Sequence, residues 1–516
     1  YVMCRFENRI YIVDAATSPG SWSVAAGSVA VGFDAEPLEV EVGRRFLYDA
    51  RISGHGDQAC ASCHIFGDKD ELAWDLGAPF GAVLANPNPV QLAPVDPTFH
   101  PMKGPMTTQS LRGMAGQGPM HWRGDRTGGN DPGGSALDED AAFKKFNPAF
   151  VGLLGAPNEL LAPDMQRYAN FALSLEYPPN PVAPLNDVLT GSAATGQGHF
   201  TNLTPDGGAI ACNTCHDLPT GTDGLSTFEG EPQSFKVAHL RNMYTKVGMF
   251  VGGSQIRGFG FLHDGAVPTL KLFLTAAVFT LSGTQEKELE QFMLAFDTGH
   301  KPAVGQQVTA APANFGGATT VSRTNLLVAQ DDAGKCDLIA KGVLNAEPRG
   351  WRHVGAGNFQ PDRVGDPVVS TAVLRGFGAT TGQEITFTCV PLGAGDRLGI
   401  DRDDDGWLDA DERDLGTPPD DPALPTACSD GVDNDSDGFT DVADPGCRDE
   451  YASSERPSCN DGIDNEGDGF TDMADSDCGN TWSDNETLVN RSCGLLGIEV
   501  LPLLIWSGYR RRRARG

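Results

Sequence analysis

The sequence predicts a mainly α chain built from two related domains in tandem, followed by a small β-rich domain and a set of acidic cation-binding loops. Three observations predict it. The pattern C-x-x-C-H occurs twice, as Cys60, Cys63 and His64 and again as Cys212, Cys215 and His216. Each copy is followed at a distance by an amphipathic helical run. Residues 401 to 480 then carry 26 of the 69 acidic residues against four arginines.

At 516 residues the chain is too long for a single core and calls for several domains. Its hydrophobic content of 40% is that of a globular protein. The net charge is -31, and the 26 acidic residues set against four arginines place 22 of those excess charges in residues 401 to 480. Such a local carboxylate excess points to divalent cations, and the lack of a large basic patch argues against nucleic acid. Twelve cysteines fit an oxidising, extracytoplasmic compartment, either periplasm or cell surface.

Residues 1–36 contain NRIYIVDAAT, whose alternation reads as a strand and resembles a blade segment of bacterial β-propellers. Because the chain opens at Tyr1 in mid-pattern, the expectation is the end of a truncated propeller, with a single leading hairpin as the alternative. Residues 37–185 surround the first C-x-x-C-H and close on DMQRYANFALSLE, where Met165, Tyr168, Phe171 and Leu175 share a helical face. PPNP at 178–181 then breaks the run. Residues 186–300 hold the second motif and close on TQEKELEQFMLAF, with Leu289, Phe292, Met293 and Phe296 on one face. Residues 301–400, rich in Val, Thr and Gly, read as the small β-rich domain, with Cys336 and Cys389 able to pair within it.

C-x-x-C-H has a specific chemical use. Two thiols add to the vinyl groups of a porphyrin, and the adjacent histidine ligates the iron on one face. Structural zinc needs four ligands, and a dithiol redox pair needs no histidine there. The motif therefore predicts two covalently bound c-type haems. The flanks repeat as well. LRGMAGQGPM from Leu111 aligns with LRNMYTKVGM from Leu240, superposing Met114 on Met243 and Met120 on Met249.

Together, C-x-x-C-H, FKVAHLRNMYTK and FLHDGAVPTL resemble the bacterial di-haem cytochrome c peroxidase superfamily, which also includes the maturase of methylamine dehydrogenase and rubber oxygenases. HWRGDR at 121–126 is similar to that family's F-W-D-G-R. The resemblance covers about residues 37 to 300. It implies that His64 is proximal to a peroxidatic haem that loses its other ligand on activation, His216 is proximal to an electron-entry haem, and Trp122 bridges the two. It further implies hydrogen peroxide as substrate and a small redox protein as electron donor. The family's axial Met is missing after Leu270, where KLFLTAAVF stands, so Met243 or Met249 takes that place, with core filling as the other reading of each Met. On the first haem, His100, Met120 and His121 are the candidates for the second face. No carboxylate matches the family's acid–base position, and Glu159 is the candidate.

IDRDDDGWLDADE sets Asp401, Asp403, Asp405, Gly406, Asp409 and Glu412 at positions 1, 3, 5, 6, 9 and 12 of an EF-hand loop, a calcium pattern. Two further copies, 31 residues apart, supply Asp433, Asp435, Asp437, Asp441 and Asp444, then Asp464, Glu466, Asp468, Asp472 and Asp475. Cysteines bracket each, Cys428 with Cys447 and Cys459 with Cys478, and the repeats resemble thrombospondin type 3 stalks. Residues 401–480 are thus expected to bind structural calcium. The tail, 481–516, joins a short apolar run to an Arg cluster and resembles bacterial C-terminal sorting signals that anchor proteins at the surface; a marginal membrane anchor is the alternative. Two functions stand at this point: a peroxidase-like oxidoreductase, and a surface electron-transfer cytochrome with both haems six-coordinate.

Overall fold

The computed structural model describes residues 2–4, 9–14, 23–30, 38–76, 84–85, 98–99, 105–228, 234–246, 260–465, 470–475 and 478–483. The chain divides into two compact units, one of residues 1–360 with 368–395 and one of residues 361–367 with 396–516. Among the described residues no helix is long and apolar enough to cross a membrane.

The first unit opens on three antiparallel strands, β1 (Val2–Cys4), β2 (Arg9–Asp14) and β3 (Ser23–Ala30), with the expected strand at NRIYIVD in the middle. Two helix pairs follow, one around each C-x-x-C-H motif. In the first, α1 (Leu38–Tyr48) packs on α2 (Ala162–Leu173); in the second, α3 (Gly191–Asn202) packs on α4 (Gly283–Leu294). The closing helices bury the predicted faces. Met165, Tyr168 and Phe171 lie in one core with Phe46, Leu47 and Phe143, while Leu289, Phe292, Met293 and Phe296 lie in another with Phe200 and Leu240. α4 starts on a capping box, Ser282 accepting from the Gln285 amide and Gln285 accepting from the Ser282 amide.

Both pairs use one device. Gly43 of α1 presses against the Arg167 carbonyl of α2, and Gly196 of α3 against the Glu288 carbonyl of α4, so closely that a Cβ at either would overlap the opposing backbone. A bare Cα lets the two helices approach there, at the cost of helix propensity. Gly196→Ala is therefore expected to destabilise the chain by about 1–3 kcal/mol through overpacking, read by urea unfolding. An unchanged midpoint would show that the helices have room to separate.

Residues 301–400 form a six-stranded sheet, in the order β4 (Gln307–Ala310), β9 (Ile385–Val390), β5 (Asp337–Leu344), β6 (Glu347–His353), β7 (Asn358–Pro361) and β8 (Val369–Ser370). β5 pairs antiparallel with both β6 and β9. The sheet encloses Leu338, Trp351, Phe359, Ile385 and Phe387, and the Cys336–Cys389 disulfide lies in the same core. A 15-residue helix, α5 (Ala318–Asp332), packs on it, an element that β-rich composition did not suggest. In the second unit, carboxylate loops alternate with short turns, and disulfides join Cys428 to Cys447 and Cys459 to Cys478.

Candidate haem sites and cation loops

Each C-x-x-C-H motif folds into a single 3-10 turn, Cys60–Ser62 and Cys212–Thr214. In both, the histidine amide donates to the carbonyl of the first cysteine at 2.9 Å, placing thiols and imidazole on one compact knuckle. The four motif thiols are unpaired, although the six cysteines of residues 336 to 478 all form disulfides. Burial pushes Cys60 upward and Cys212 up to about 11, the opposite of an activated redox thiolate. Among the described residues, no group of three or more candidate metal ligands includes a motif cysteine.

The imidazoles are fixed by the backbone. His64 Nδ1 lies 3.3 Å from the Asp68 carbonyl, and His216 Nδ1 lies 2.9 Å from Gly221 O and 3.1 Å from Ala238 O. A ring that donates from Nδ1 is left with Nε2 as its ligand atom. Burial lowers both imidazoles below their ordinary pKa, favouring the neutral, ligating form. Unpaired thiols and oriented imidazoles are the donor set a covalent haem requires, so the residues fit the group.

A cavity of about 730 Å³ opens on Cys60, Cys63 and His64. The sequence-predicted Met120 and Trp122 line it, as does His121. Trp122 is buried, its indole N–H donates to the Thr107 carbonyl at 2.8 Å, and its own carbonyl accepts from the Lys236 amide at 3.0 Å. It thus joins the wall of the first cavity to the segment that follows the second motif. Met120 is also buried in the first helical core, and Met243 is buried in the second. Glu159 is exposed and is not among the residues lining the cavity. His100 and Met249 lie outside the described residues.

The cavity also holds side chains that sequence reasoning missed. Lys236, His239 and Lys246 reach it from the segment that follows the second C-x-x-C-H. Burial pushes each lysine down to about 8, and Lys246 sits 5.1 Å from the Trp122 ring centroid. His239 Nδ1 accepts the Arg241 amide at 3.2 Å, leaving its proton on Nε2, 3.4 Å from Tyr177 Oη. Their signal lay in FKVAHLRNMYTK, a stretch singled out for its resemblance and not for its charge.

In the second unit, carboxylate oxygens of Asp401, Asp403 and Asp405 come within 4.8 Å of one another. Asp401 accepts the Asp404 and Gly406 amides at 2.8 and 3.0 Å, and Gly406 takes φ +101, the turn only glycine makes freely. Both oxygens of Asp403 and both of Glu412 are buried with no hydrogen-bond partner. Orphaned buried carboxylates are costly unless a cation satisfies them, so these residues fit calcium. Burial and neighbouring carboxylates push Asp403 up to about 6 and Glu412 up to about 8. Asp409 is placed differently: it accepts the Arg402 amide at 2.8 Å and the Arg402 guanidinium at 3.3 Å.

The second loop gathers Asp435, Asp437 and Asp444, and also Asp433 and Asp435 with Glu455, a residue outside the sequence pattern. Glu455 is buried and accepts the Asn434 amide at 2.6 Å, while Asp441 accepts the Gly431 amide at 2.9 Å. In the third loop Asp472 repeats that contact with Gly462 at 3.0 Å, and Asp464 and Asp475 are described; Glu466, Asp468 and the tail from residue 484 lie outside the described residues.

No protein family model matches the chain, and no curated protein matches it. Solved structures do. Hydrazine synthase from Kuenenia stuttgartiensis is 18% identical, with a TM-score of 0.36 over 51% of this chain and 88% of that one. A MauG-like protein associated with microbial copper homeostasis is 15% identical, with a TM-score of 0.31 over 52% and 91%. The diheme peroxidase BthA from Burkholderia thailandensis is 15% identical, with a TM-score of 0.27 over 53% and 89%. Likenesses of this size do not fix a fold or a reaction, and the reading of the chain rests on its own residues.

Proposed function

We propose that the chain is an exported di-haem c-type cytochrome acting as a peroxidase-like oxidoreductase, which reduces hydrogen peroxide with electrons from a small redox protein. The observation that carries this reading is the 730 Å³ cavity opening on the first C-x-x-C-H, with unpaired thiols and an oriented His64. When bound, the haems supply one-electron redox chemistry and an iron site for an oxygen ligand. His64 and His216 would hold the irons, and the two thiols of each motif would hold the rings. Reduction of hydrogen peroxide to two waters takes two electrons and two protons. Lys236 and Lys246, buried at the cavity with pKa values of about 8, hold protons there at neutral pH that can be given up to a reacting oxygen. Trp122, hydrogen-bonded both to Thr107 and to Lys236, is read as the bridge an electron would use between the two haems. The calcium loops are read as a structural stalk, and the tail as a surface anchor.

The test is rapid mixing of the haem-loaded, half-reduced, calcium-bound protein with hydrogen peroxide. Fast reoxidation is expected, slowed by Trp122→Phe on the order of tenfold or more, while haem content stays unchanged. No reaction would leave the electron-transfer reading, in which both irons carry six ligands. A specific observation favours that second reading: an imidazole besides His64 in the cavity wall, backed by a carboxylate.

A further inference from the structure

We infer that His121, held by Asp125, is the iron ligand on the face of the first haem opposite His64, an assignment that rests on the haem reading above. His64, His121 and His239 are the described histidines lining the first cavity. Both nitrogens of His239 are engaged, by the Arg241 amide and by Tyr177 Oη. His121 differs. Its Nδ1 lies 2.7 Å from Asp125 Oδ1, and its Nε2 hydrogen-bonds to no described residue. That is the arrangement of His64 and His216, one nitrogen fixed and the other presented, with a full carboxylate in place of a carbonyl. A histidine that ligates a metal characteristically donates its other N–H to such a group, which orients the ring and raises the basicity of the ligating atom.

The local backbone is built around this pair. Met120 and Arg126 exchange two amide hydrogen bonds, at 2.9 and 3.3 Å, closing a tight loop over 120–126. Within it His121 takes φ +74, a conformation that side-chain-bearing residues adopt at a cost and that concentrates at functional sites. Asp125 Oδ1 also lies 3.4 Å from Arg123 Nε, so the carboxylate is fixed from a second side beside His121. Met120 is the weaker ligand candidate, because it fills the hydrophobic core with Phe143 and Tyr168.

The experiment uses the ferric, haem-loaded full chain, with haem counted by the pyridine haemochrome and ligation read by EPR and near-infrared magnetic circular dichroism. The expected wild-type spectrum contains a low-spin bis-imidazole haem. His121→Ala should lose that signal, gain a high-spin one, and recover the first on addition of imidazole. Asp125→Asn keeps the imidazole and serves where the alanine variant does not fold. It should retain the bis-imidazole signature while raising that haem's reduction potential, because a less basic ligand stabilises ferric iron less. Two haems per chain with spectra unchanged in His121→Ala, or a potential unchanged in Asp125→Asn, would overturn this assignment alone. A chain that carries no covalent haem would overturn the haem reading and this one together.

Discussion

Replacing Cys212 and Cys215 together by Ser is expected to remove one of the two covalently held haems and leave the other in place. Each motif supplies its own two thiols and its own histidine on one 3-10 turn, so neither borrows a tether from the other half. Haem staining after denaturing electrophoresis reads the effect directly, because only a thioether-bound haem survives denaturation. Wild type should stain with two haems per chain, the double variant with one, and a variant lacking Cys60 and Cys63 as well with none. Equal staining of wild type and the Cys212, Cys215 variant would sink the assignment of the second motif.

Removing calcium should have the next largest effect, and it should depend on pH in a defined direction. In the cation-free loop Glu412 keeps its proton up to about pH 8, whereas the unfolded chain releases it near the ordinary 4.5. The folded, cation-free form therefore holds more protons across that window and loses stability as pH rises through it, levelling off above about 8. Calcium displaces those protons, so its affinity rises over the same interval. Calcium at a hundred times its Kd stabilises by about 2.7 kcal/mol per site, and Glu412→Gln should weaken binding on the order of tenfold or more. Calorimetric titration at pH 5.5 and 8 checks both statements. Affinity independent of pH, or unchanged by Glu412→Gln, would remove Glu412 from the ligand set.

What the sequence made legible were features written within a few consecutive residues. C-x-x-C-H, the twelve-residue carboxylate loop and the apolar faces of α2 and α4 all have local spacing rules; Asp401, Asp403 and Asp405 converge, and Met165, Tyr168, Leu289 and Phe292 are buried as those rules expect. The helices α1 and α3 were not legible. GSAATGQGHFTN is poor in apolar residues and rich in glycine, which lowers helix propensity, and the reason for Gly196 lies on another helix. Glu455 was missed because it joins its loop from beyond the twelve-residue pattern. Asp409 shows the reverse, a residue that satisfies the pattern yet gives its oxygens to Arg402. Lys236, His239 and Lys246 were hidden because a cavity wall assembled from segments following both motifs has no signature in either segment alone.

The lysine above Trp122 has one more consequence. A positive charge 5.1 Å from the indole centroid makes the ring harder to oxidise, since an electron hole on it would face a like charge. If Trp122 carries electrons as proposed, a charged Lys246 beside it would disfavour an oxidised tryptophan persisting between turnovers. On that reading, loss of the Lys246 proton above about pH 8 would remove this protection, and peroxide-treated protein should then show more oxidation at Trp122 by mass spectrometry than at pH 6.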